Sequence, residues 1–397
     1  MNSAIKIIDE VYWIGVNDFE THLFENIWPL PNGISYNSYL IKDNKNTLID
    51  TVKGDYFDKY IDKIQDLLDG QKLDYLIVNH MEPDHSGSIG ILLKIYSHLK
   101  IIGNSKTAKF LKEYYSISDE NIIIVKDKET LNTGKNNFIF HMTPMVHWPE
   151  TMMTYLENYK MIFSGDAFGA FGSLNGNIFD DDLDLNEFYK EGLRYYSNIV
   201  GRYSINVQMA FKKLTNIKIE IIAATHGPIW KNNPGYIIDL YDKWSKQETQ
   251  NKVVIVYGTM YGNTKTVAEK IAEGLANNGM KKIKIHNIAK SPLSDIIRDI
   301  WDSKGIILGS CTYNMELFPP MKALISALNS RQLKNRYLGL FGSYTWSGGA
   351  LKELEEYSNK CSLERVLPSV EVQGAPYSDD LEEAFNLGKN MAAELQK

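Results

Sequence analysis

The sequence predicts two α/β domains in tandem. The first would have two packed sheets with outer helices, and the second a single doubly wound parallel sheet. Three observations carry this prediction. The chain has 397 residues, enough for two or three domains. Strand-like runs dominate residues 1–250, whereas strand and helix patterns alternate after residue 252. The net charge changes from −8 over residues 1–250 to +2 over residues 251–397, and a polar run from Ser245 to Lys252 marks the change. We therefore assign domains to residues 1–250 and 252–397.

In the first domain, short apolar and β-branched runs indicate strands. These runs are Val11–Val16, Tyr36–Ile41, Thr47–Asp50, Tyr75–Val78, Ile101–Gly103, Asn121–Val125, Phe138–His141, Met161–Phe163 and Ile219–Ala223. Apolar residues at helical spacing indicate helices at Phe57–Leu68 and Ile89–Ser97.

In the second domain, buried strands are predicted at Val253–Tyr257, Gly305–Gly309 and Tyr337–Phe341. Helices are predicted between and after them, at Thr264–Leu275, Met321–Leu328 and Ala350–Tyr357. This alternation implies a parallel sheet with helices on both faces.

Composition excludes several classes of protein. The 2 Cys, Cys311 and Cys361, are too few for a cysteine-rich zinc module, a four-cysteine iron site or a disulfide-stapled secreted fold. We interpret Cys311 as a small packing residue. The net charge of −6 gives no general basic field for nucleic acid. No apolar stretch reaches the ~18 residues of a transmembrane helix, and the first thirty residues do not have the pattern of a signal peptide. A cytoplasmic protein is expected.

Four potential metal ligands lie within six residues, directly after the strand ending at Val78. They are His80, Glu82, Asp84 and His85. On a loop, side chains this close in sequence can converge on one ion, whereas a helix would spread them over several faces. A solvated polar turn around Pro83 is the alternative for this segment alone. Three further residues of ligand type, His147, Asp166 and His226, follow other strand regions, and together these positions favour a common metal site. The other histidines, His98, His141 and His286, lie outside any motif and are interpreted as structural.

The first strand of the second domain leads into Gly258–Thr264 and then a helix. A loop of small hydroxyl residues before a helix N-terminus can bind an anion, because free backbone N–H groups and the helix dipole favour negative charge. Neither a P-loop nor a dinucleotide fingerprint is present. Thr259 and Thr264 instead suit a terminal monophosphate, and an ordinary N-capped helix is the alternative. The next two strands end in Ser310–Asn314 and Gly342–Gly349, where Tyr313, Tyr344 and Trp346 could stack on a flat ring.

The ligand series, H-x-E-x-D-H followed by His, Asp and His, resembles that of the flavodiiron proteins, and the second domain resembles a flavodoxin. The resemblance implies a metallo-β-lactamase-like αβ/βα sandwich followed by a flavodoxin-like sheet. Zinc hydrolases of the first fold carry His at the position of Glu82, and a hard carboxylate ligand shifts the preference from zinc towards iron or manganese.

Carried over to this sequence, the resemblance implies a diiron centre and a bound FMN. One iron would be held by His80, Glu82 and His147, the other by Asp84, His85 and His226, with Asp166 bridging. His85 would be the ligand that a water can replace. Tyr195 or Tyr196 would lie near the irons, and His22 and Glu25 could line the substrate pocket. The FMN contacts would be Thr259, Met260, Tyr261, Gly262, Asn263, Thr264, Ser310, Thr312, Tyr313, Asn314, Ser343, Tyr344, Trp346, Gly348 and Gly349.

The implied activity is reduction of O2 to water, of NO to N2O, or of both, with electrons passed through FMN. A rubredoxin-type donor is implied, since the chain has too few cysteines to build a rubredoxin. A head-to-tail homodimer or a homotetramer is implied as well, because the flavin of one subunit would serve the irons of another. Two other functions stay open at this stage. One is a zinc hydrolase with an accessory flavin module, and the other is a pure electron carrier without metal.

Overall fold

In this computed structural model, which describes residues 3–397 apart from the side chain of Asp182, the chain divides into two compact units. The first unit ends at Ser245 and the second begins at Lys246. The division lies at the start of the polar run noted in the sequence. The end of that run is not a linker, because the strand Gln250–Gly258 already includes it.

The strands of the first unit are short and mostly buried. In chain order they are β1 (Ile5–Ile8), β2 (Val11–Trp13), β3 (Val16–Asp18), β4 (Leu23–Phe24), β5 (Trp28–Pro29), β6 (Ile34–Tyr36), β7 (Tyr39–Ile41), β8 (Asn46–Ile49), β9 (Leu73–Ile77), β10 (Lys100–Gly103), β11 (Ile122–Ile124), β12 (Thr130–Asn132), β13 (Asn137–Met142), β14 (Met152–Leu156), β15 (Met161–Gly165) and β16 (Ile221–Ala224).

These strands form two main sheets. The seven-stranded sheet has the order β1-β2-β7-β8-β9-β10-β11, and the five-stranded sheet has the order β12-β13-β14-β15-β16. A buried apolar cluster contains residues of both sheets, with Trp13 and Ile77 from the first and Phe140 and Phe163 from the second. The two-sheet sandwich predicted for this unit is confirmed. The strand β14 was missed, although all five of its residues are buried.

The helices of the first unit are α1 (Phe57–Leu68), α2 (Pro83–Ser86), α3 (Ile89–Ile95), α4 (Ser105–Tyr115), α5 (Leu185–Tyr195), α6 (Ser204–Leu214) and α7 (Pro234–Ser245). The bounds of α1 agree with the sequence prediction. Its buried face includes Tyr60, Ile64 and Leu68, and the helix ends where Asp69 takes a left-handed conformation. Helix α5 continues through a π-helical turn, Tyr196–Val200, before α6 begins, and such turns often accompany functional sites.

The second unit contains β17 (Gln250–Gly258), α8 (Asn263–Asn277), β18 (Ile283–Asn287), α9 (Leu293–Trp301), β19 (Ser303–Tyr313), β20 (Glu316–Leu317), α10 (Pro319–Arg331), β21 (Tyr337–Tyr344), α11 (Ala350–Lys360), β22 (Glu364–Arg365), β23 (Val370–Gln373) and α12 (Ser378–Leu395). The sheet order is β18-β17-β19-β21-β22, with β23 also paired to β21, and these pairings are parallel. The predicted parallel sheet is confirmed. Among residues 3–397, no helix is long and apolar enough to cross a bilayer.

Candidate functional site

The motif with four potential ligands begins where β9 ends. His80 and Glu82 lie in the connection after the strand, but Asp84 and His85 lie in α2, so the expectation of a continuous loop was wrong. Pro83 explains the difference, since its fixed φ suits the first position of a helix and its missing N–H is not needed there. The single helical turn carries Asp84 and His85 to a different group of side chains from His80 and Glu82.

The other three residues of ligand type reach the same place from the five-stranded sheet. Asp166 directly follows β15, and His226 comes two residues after β16. These two strands are parallel neighbours, so their carboxyl ends meet at one edge. His147 lies in the turn between β13 and β14.

The first donor group consists of His80, Glu82, His147 and Asp166, all buried. The Oε2 atom of Glu82 lies 3.2 Å from Nε2 of both His80 and His147. The Oδ2 atom of Asp166 lies 2.9 Å from Nε2 of His147 and 3.6 Å from Nε2 of His80. Each of the two imidazoles and two carboxylates therefore places one donor atom in the same small volume.

The second donor group consists of Asp84, His85 and His226. The Oδ2 atom of Asp84 lies 3.3 Å from Nε2 of each histidine, and the two Nε2 atoms lie 3.1 Å apart. Asp166 faces this group through its other oxygen, because Oδ1 lies 3.0 Å from Nε2 of His85. One carboxylate thus presents one oxygen to each donor group, as a bridge between two metal ions requires.

The electrostatics of the site are those of charged groups crowded together out of water. Burial by itself would lower the pKa of His85, but the charges of Asp84 and Asp166 raise it to about 9. The pKa of His147 is likewise raised to about 9, since hydrogen bonds to Asp166 and Glu82 outweigh burial. Burial would raise the pKa of Glu82, yet the hydrogen bonds from His147 and His80 hold it far below its ordinary value. The buried carboxylates are therefore stable in their charged form only with positive charge nearby, which bound protons or metal ions can supply.

Residues outside the donor groups fix their orientation, and the sequence analysis missed them. Glu150 is fully buried, and its Oε1 accepts hydrogen bonds from Nδ1 of His80 at 2.8 Å and from the backbone N–H of Met81 at 2.9 Å. His226 donates through Nδ1 to the carbonyl oxygen of Ser35 at 2.7 Å. Both rings are thereby held with Nε2 facing the cluster, as metal-binding histidines usually are. Glu150 could have been noticed in the sequence, because it is an acidic residue only three positions after the candidate ligand His147.

The two tyrosines that the sequence left open have different surroundings. The ring of Tyr195 lies 5.5 Å from the ring of His226 and 5.1 Å from that of Phe171, and its buried hydroxyl has no hydrogen-bond partner within the described residues. The hydroxyl of Tyr196 lies 3.0 Å from Oγ of Ser204, on a different side of the helix. Tyr195 is therefore the tyrosine beside the donor groups. His22 is exposed, on the segment that leads into β4.

A metal suits these side chains. Both carboxylate oxygens of Asp84 are buried and accept no hydrogen bond from any described residue, although two imidazoles lie beside them. A carboxylate in that state needs a cation. The donor atoms are imidazole nitrogens and carboxylate oxygens without any thiolate, a combination that suits iron or manganese.

The second unit has its own cavity, about 330 Å³, at the carboxyl ends of β17, β19 and β21. The predicted FMN contacts that line it are Thr259, Met260, Tyr261, Asn263, Thr264, Thr312, Tyr313, Asn314, Ser343, Tyr344 and Trp346. Cys311, Met315, Thr345 and Ser347 also line it, although the sequence analysis assigned them no contact. Gly262, Ser310, Gly348 and Gly349 are not among the lining residues.

One end of this cavity has the features of a phosphate site. Gly262 takes a positive φ of 108° just before α8, and no side chain among the described residues caps that helix. The hydroxyl of Thr259 accepts the N–H of Gly262 at 3.0 Å, and the hydroxyls of Thr264 and Ser343 lie 2.8 Å apart. The uncapped helix N-terminus therefore adjoins a cluster of hydroxyl groups.

Several large side chains that line this cavity remain in contact with solvent. Trp346 is 86% exposed, Tyr261 94% and Met315 65%. Apolar groups this exposed around a cavity are suited to cover a flat ligand, because stacking on a ring would remove their surface from water.

The two units match two family models. Residues 34–227 match the ODP family beta lactamase model, and residues 255–388 match the flavodoxin model. A nitric oxide reductase of Moorella thermoacetica is 33% identical over 399 residues, with 100% of both chains covered.

Solved structures give the same result for the fold. Rubredoxin oxygen:oxidoreductase from Desulfovibrio gigas superposes with a TM-score of 0.95 at 29% identity, over 99% of this chain and 98% of that one. A flavodiiron protein from Thermotoga maritima, solved as a single-site variant, has a TM-score of 0.90 at 31% identity, with 99% and 98% covered.

Proposed function

The chain belongs to the flavodiiron proteins, and on that basis we propose that it reduces O2 to water, NO to N2O, or both, at a diiron centre fed by FMN. It is an oxidoreductase with the metallo-β-lactamase-like and flavodoxin-like folds of that family. The observation that carries the proposal is the position of Asp166, whose two oxygens face two separate groups of buried donors. A dinuclear zinc hydrolase could use the same bridge, so Glu82, which stands where the zinc hydrolases of this fold carry His, is what favours iron over zinc.

We assign the metal ligands by these two groups. His80, Glu82 and His147 would hold one iron, Asp84, His85 and His226 the other, and Asp166 would bridge them. Two bound irons would supply electrons to the substrate together, which avoids the release of partly reduced oxygen species. Glu150 and the carbonyl of Ser35 keep His80 and His226 in the tautomer that leaves Nε2 free for metal.

The chain also shapes the space in which the gas would bind. Phe24 and Phe171 pack against each other with ring centroids 5.5 Å apart, and the ring of Phe24 also lies 5.5 Å from that of His226. Together with Tyr195 they form an apolar wall beside the second donor group. An apolar wall of this kind disfavours bulk water beside the donor group. The Tyr195 hydroxyl is free to donate a hydrogen bond to a substrate oxygen.

We assign FMN to the cavity of the second unit, where it would take electrons from a donor and pass them on. Thr259, Thr264 and the N-terminus of α8 would bind its phosphate, and Tyr344 and Trp346 would lie against its ring. These contacts rest on the cavity lining and on the uncapped helix.

The donor, the oligomer and the location are further parts of the proposal. A rubredoxin-type donor is supported by the names of two relatives, rubredoxin oxygen:oxidoreductase and an Escherichia coli flavorubredoxin that is 32% identical over 98% of this chain. A head-to-tail homodimer or a homotetramer would bring the flavin of one subunit beside the irons of another. With only 2 Cys in 397 residues, we place the protein in the cytoplasm.

The test is anaerobic stopped flow with reduced rubredoxin, followed by mixing with O2 or with NO in separate experiments. Wild-type protein should reoxidise its FMN rapidly with at least one gas, and Glu82→Ala should remove that reaction. Equal reoxidation rates in the two proteins would contradict the proposal. Two zinc per chain after growth with ample iron, together with esterase turnover, would instead favour the hydrolase.

A further inference from the structure

The two donor groups offer the same types of ligand. Each has two histidines and one carboxylate of its own, and each faces one oxygen of Asp166. If these ligands alone decided the matter, the two iron positions would be chemically equal. The described residues that contact the ligands from outside are not the same for the two groups, and the first difference lies at Asp166.

Thr225 contacts only one of the two oxygens of Asp166. Its hydroxyl donates to Oδ1 at 2.6 Å, and Oδ1 is the oxygen that lies 3.0 Å from Nε2 of His85 in the second donor group. The described donors near Oδ2 are imidazole nitrogens alone, Nε2 of His147 at 2.9 Å and Nε2 of His80 at 3.6 Å. Those imidazole protons are lost when the nitrogens bind metal. The Thr225 hydrogen bond can remain, because a carboxylate oxygen has lone pairs for a metal and for a hydroxyl.

The fold holds the backbone of Thr225 on both sides. Asn37 donates its backbone N–H to the carbonyl oxygen of Thr225 at 2.7 Å, and its side-chain Nδ2 donates to two neighbouring carbonyl oxygens at 2.9 and 2.8 Å. Thr225 donates its own N–H at 3.0 Å to the carbonyl oxygen of Gly165, the residue before Asp166. Asn37 and Thr225 are both buried, so water does not compete for these hydrogen bonds. Thr225 is therefore fixed where its hydroxyl meets Asp166.

The histidines of the two groups also differ in their outer partners. The ring of His80, in the first donor group, donates to the carboxylate of Glu150, whereas the ring of His226, in the second, donates to the neutral carbonyl oxygen of Ser35. A carboxylate behind an imidazole raises the basicity of the ring towards a metal. Both differences make the first donor group the stronger electron donor.

We propose that Thr225 and Glu150 make the two iron positions unequal, so that the iron in the second donor group is the first to be reduced. This rests on the proposed function. The hydrogen bond to Oδ1 of Asp166 withdraws negative charge from the second position, which costs Fe3+ more than Fe2+ because the charge of Fe3+ is larger. Glu150 has the opposite effect at the first position. Each of the two steps adds one electron, supplied through FMN, and converts one Fe3+ to Fe2+. The first electron is thereby placed on the side where Tyr195 lies.

The first experiment is an anaerobic redox titration of protein loaded with iron and FMN, in which electron paramagnetic resonance measures the state with one Fe2+ and one Fe3+. Thr225→Val keeps the approximate shape of the side chain and removes the hydrogen bond to Asp166. Loss of an outer partner changes metal affinity about 10- to 100-fold, and a tenfold change in the affinity for Fe3+ relative to Fe2+ corresponds to about 59 mV. The potential of the first step should therefore fall by about 59 mV or more, and the two steps should move closer together.

The same variant gives the opposite result if the order of reduction is reversed. If the first electron went to the first donor group, Thr225→Val would lower the potential of the second step and move the two steps apart. That result, or unchanged potentials, would overturn the proposal. Thr225→Ser keeps the hydroxyl and should retain the wild-type potentials, and a shift equal to that of Thr225→Val would show that the hydroxyl is not the cause.

The second experiment tests the first donor group by the same titration. Glu150→Gln removes the charge behind His80, so it should raise the potential of the second step and again bring the two steps together. A second step that does not rise would contradict the role of Glu150. Mössbauer spectra of the oxidised proteins should show one of the two iron signals altered in Thr225→Val, whereas two unaltered signals would show that Thr225 does not act on either iron.

The matched control is Thr107→Val. Thr107 is also a fully buried threonine of the first unit, and its hydroxyl has no hydrogen-bond partner among the described residues. Its variant should keep both potentials, and a shift equal to that of Thr225→Val would overturn the proposal. Iron and FMN content must equal those of wild type in every variant. Steps that move apart in Thr225→Val would leave the proposed function intact, whereas a wild-type protein that binds no pair of irons would refute the proposed function.

Discussion

Glu150 offers a sharp test of how the structure prepares the first donor group for metal. Its carboxylate is fully buried and accepts hydrogen bonds from Nδ1 of His80 at 2.8 Å and from the N–H of Met81 at 2.9 Å. In Glu150→Gln the amide oxygen can still accept one of these hydrogen bonds, so the fold should survive. The charge that stabilises the His80 ring while its Nε2 binds metal is lost.

The magnitude follows from two independent arguments. A hydrogen bond to a charged group contributes about 1.5–3 kcal/mol, which is roughly a 10- to 150-fold change in an equilibrium constant. Removal of the partner that orients a metal-binding histidine typically lowers metal affinity about 10- to 100-fold. We therefore expect the dissociation constant for Fe2+ to rise about 10- to 100-fold in Glu150→Gln.

The assay is an anaerobic competition between the protein and a chelator of known affinity, with iron per chain measured at equilibrium. The control is Glu113→Gln, an exposed glutamate of α4 that pairs only with Lys109 among the described residues. A urea titration of the metal-free proteins reports whether the fold is intact. Equal iron affinity in Glu150→Gln and wild type, or an equal loss in the control, would refute the reasoning.

Three further predictions follow from other contacts. Asp166→Asn removes the charge shared by the two donor groups, so iron measured by elemental analysis should fall below one per chain, and retention of two irons would contradict the bridging role. In Gly349→Ala the new Cβ would lie 2.0 Å from the carbonyl oxygen of Met315. The two loops that carry these residues at the flavin cavity would have to move apart to relieve this clash. FMN affinity, measured by quenching of flavin fluorescence, should fall at least about tenfold, and unchanged affinity would show that these loops do not hold the flavin. Lys63 is buried, donates to the carbonyl oxygen of Gly15 at 2.6 Å, and has a pKa lowered to about 8 by burial. The unfolded chain therefore binds more protons than the folded protein between about pH 8 and pH 10.5, so the free energy of unfolding should rise with pH in that window, by up to about 3 kcal/mol. Chemical denaturation should show a smaller rise in Lys63→Met, and an equal rise in both proteins would exclude Lys63 as its source.

Much of the secondary structure could be predicted where local pattern and burial agree. Helix α1 was predicted with its observed bounds because its apolar residues recur at a helical spacing, with five polar positions facing solvent. Strands such as Val253–Tyr257 are apolar throughout because helices cover both faces of a parallel sheet. Helix α12 was missed, although it packs on α8 through Leu387 and Met391. Its sequence is strongly charged at the start, which obscures the apolar face.

The ligand residues could be selected from the sequence because their types are chemically specific and they follow strands. Their division into two groups could not, since it depends on Pro83 starting a helical turn between Glu82 and Asp84. The sequence also could not show which of Tyr195 and Tyr196 lies beside the donor groups. Adjacent residues on a helix differ by about 100° in direction, and only the packing of α5 decides which one faces His226.

Residue type and local spacing were enough to predict the two folds, the types of metal donor and a loop suited to a terminal monophosphate. Only the folded chain shows which oxygen of Asp166 faces which donor group and which carboxylate orients His80. These features join residues up to about 190 positions apart, such as Ser35 and His226. Their physical basis is the meeting of strand ends from separate parts of the chain, which no local pattern encodes.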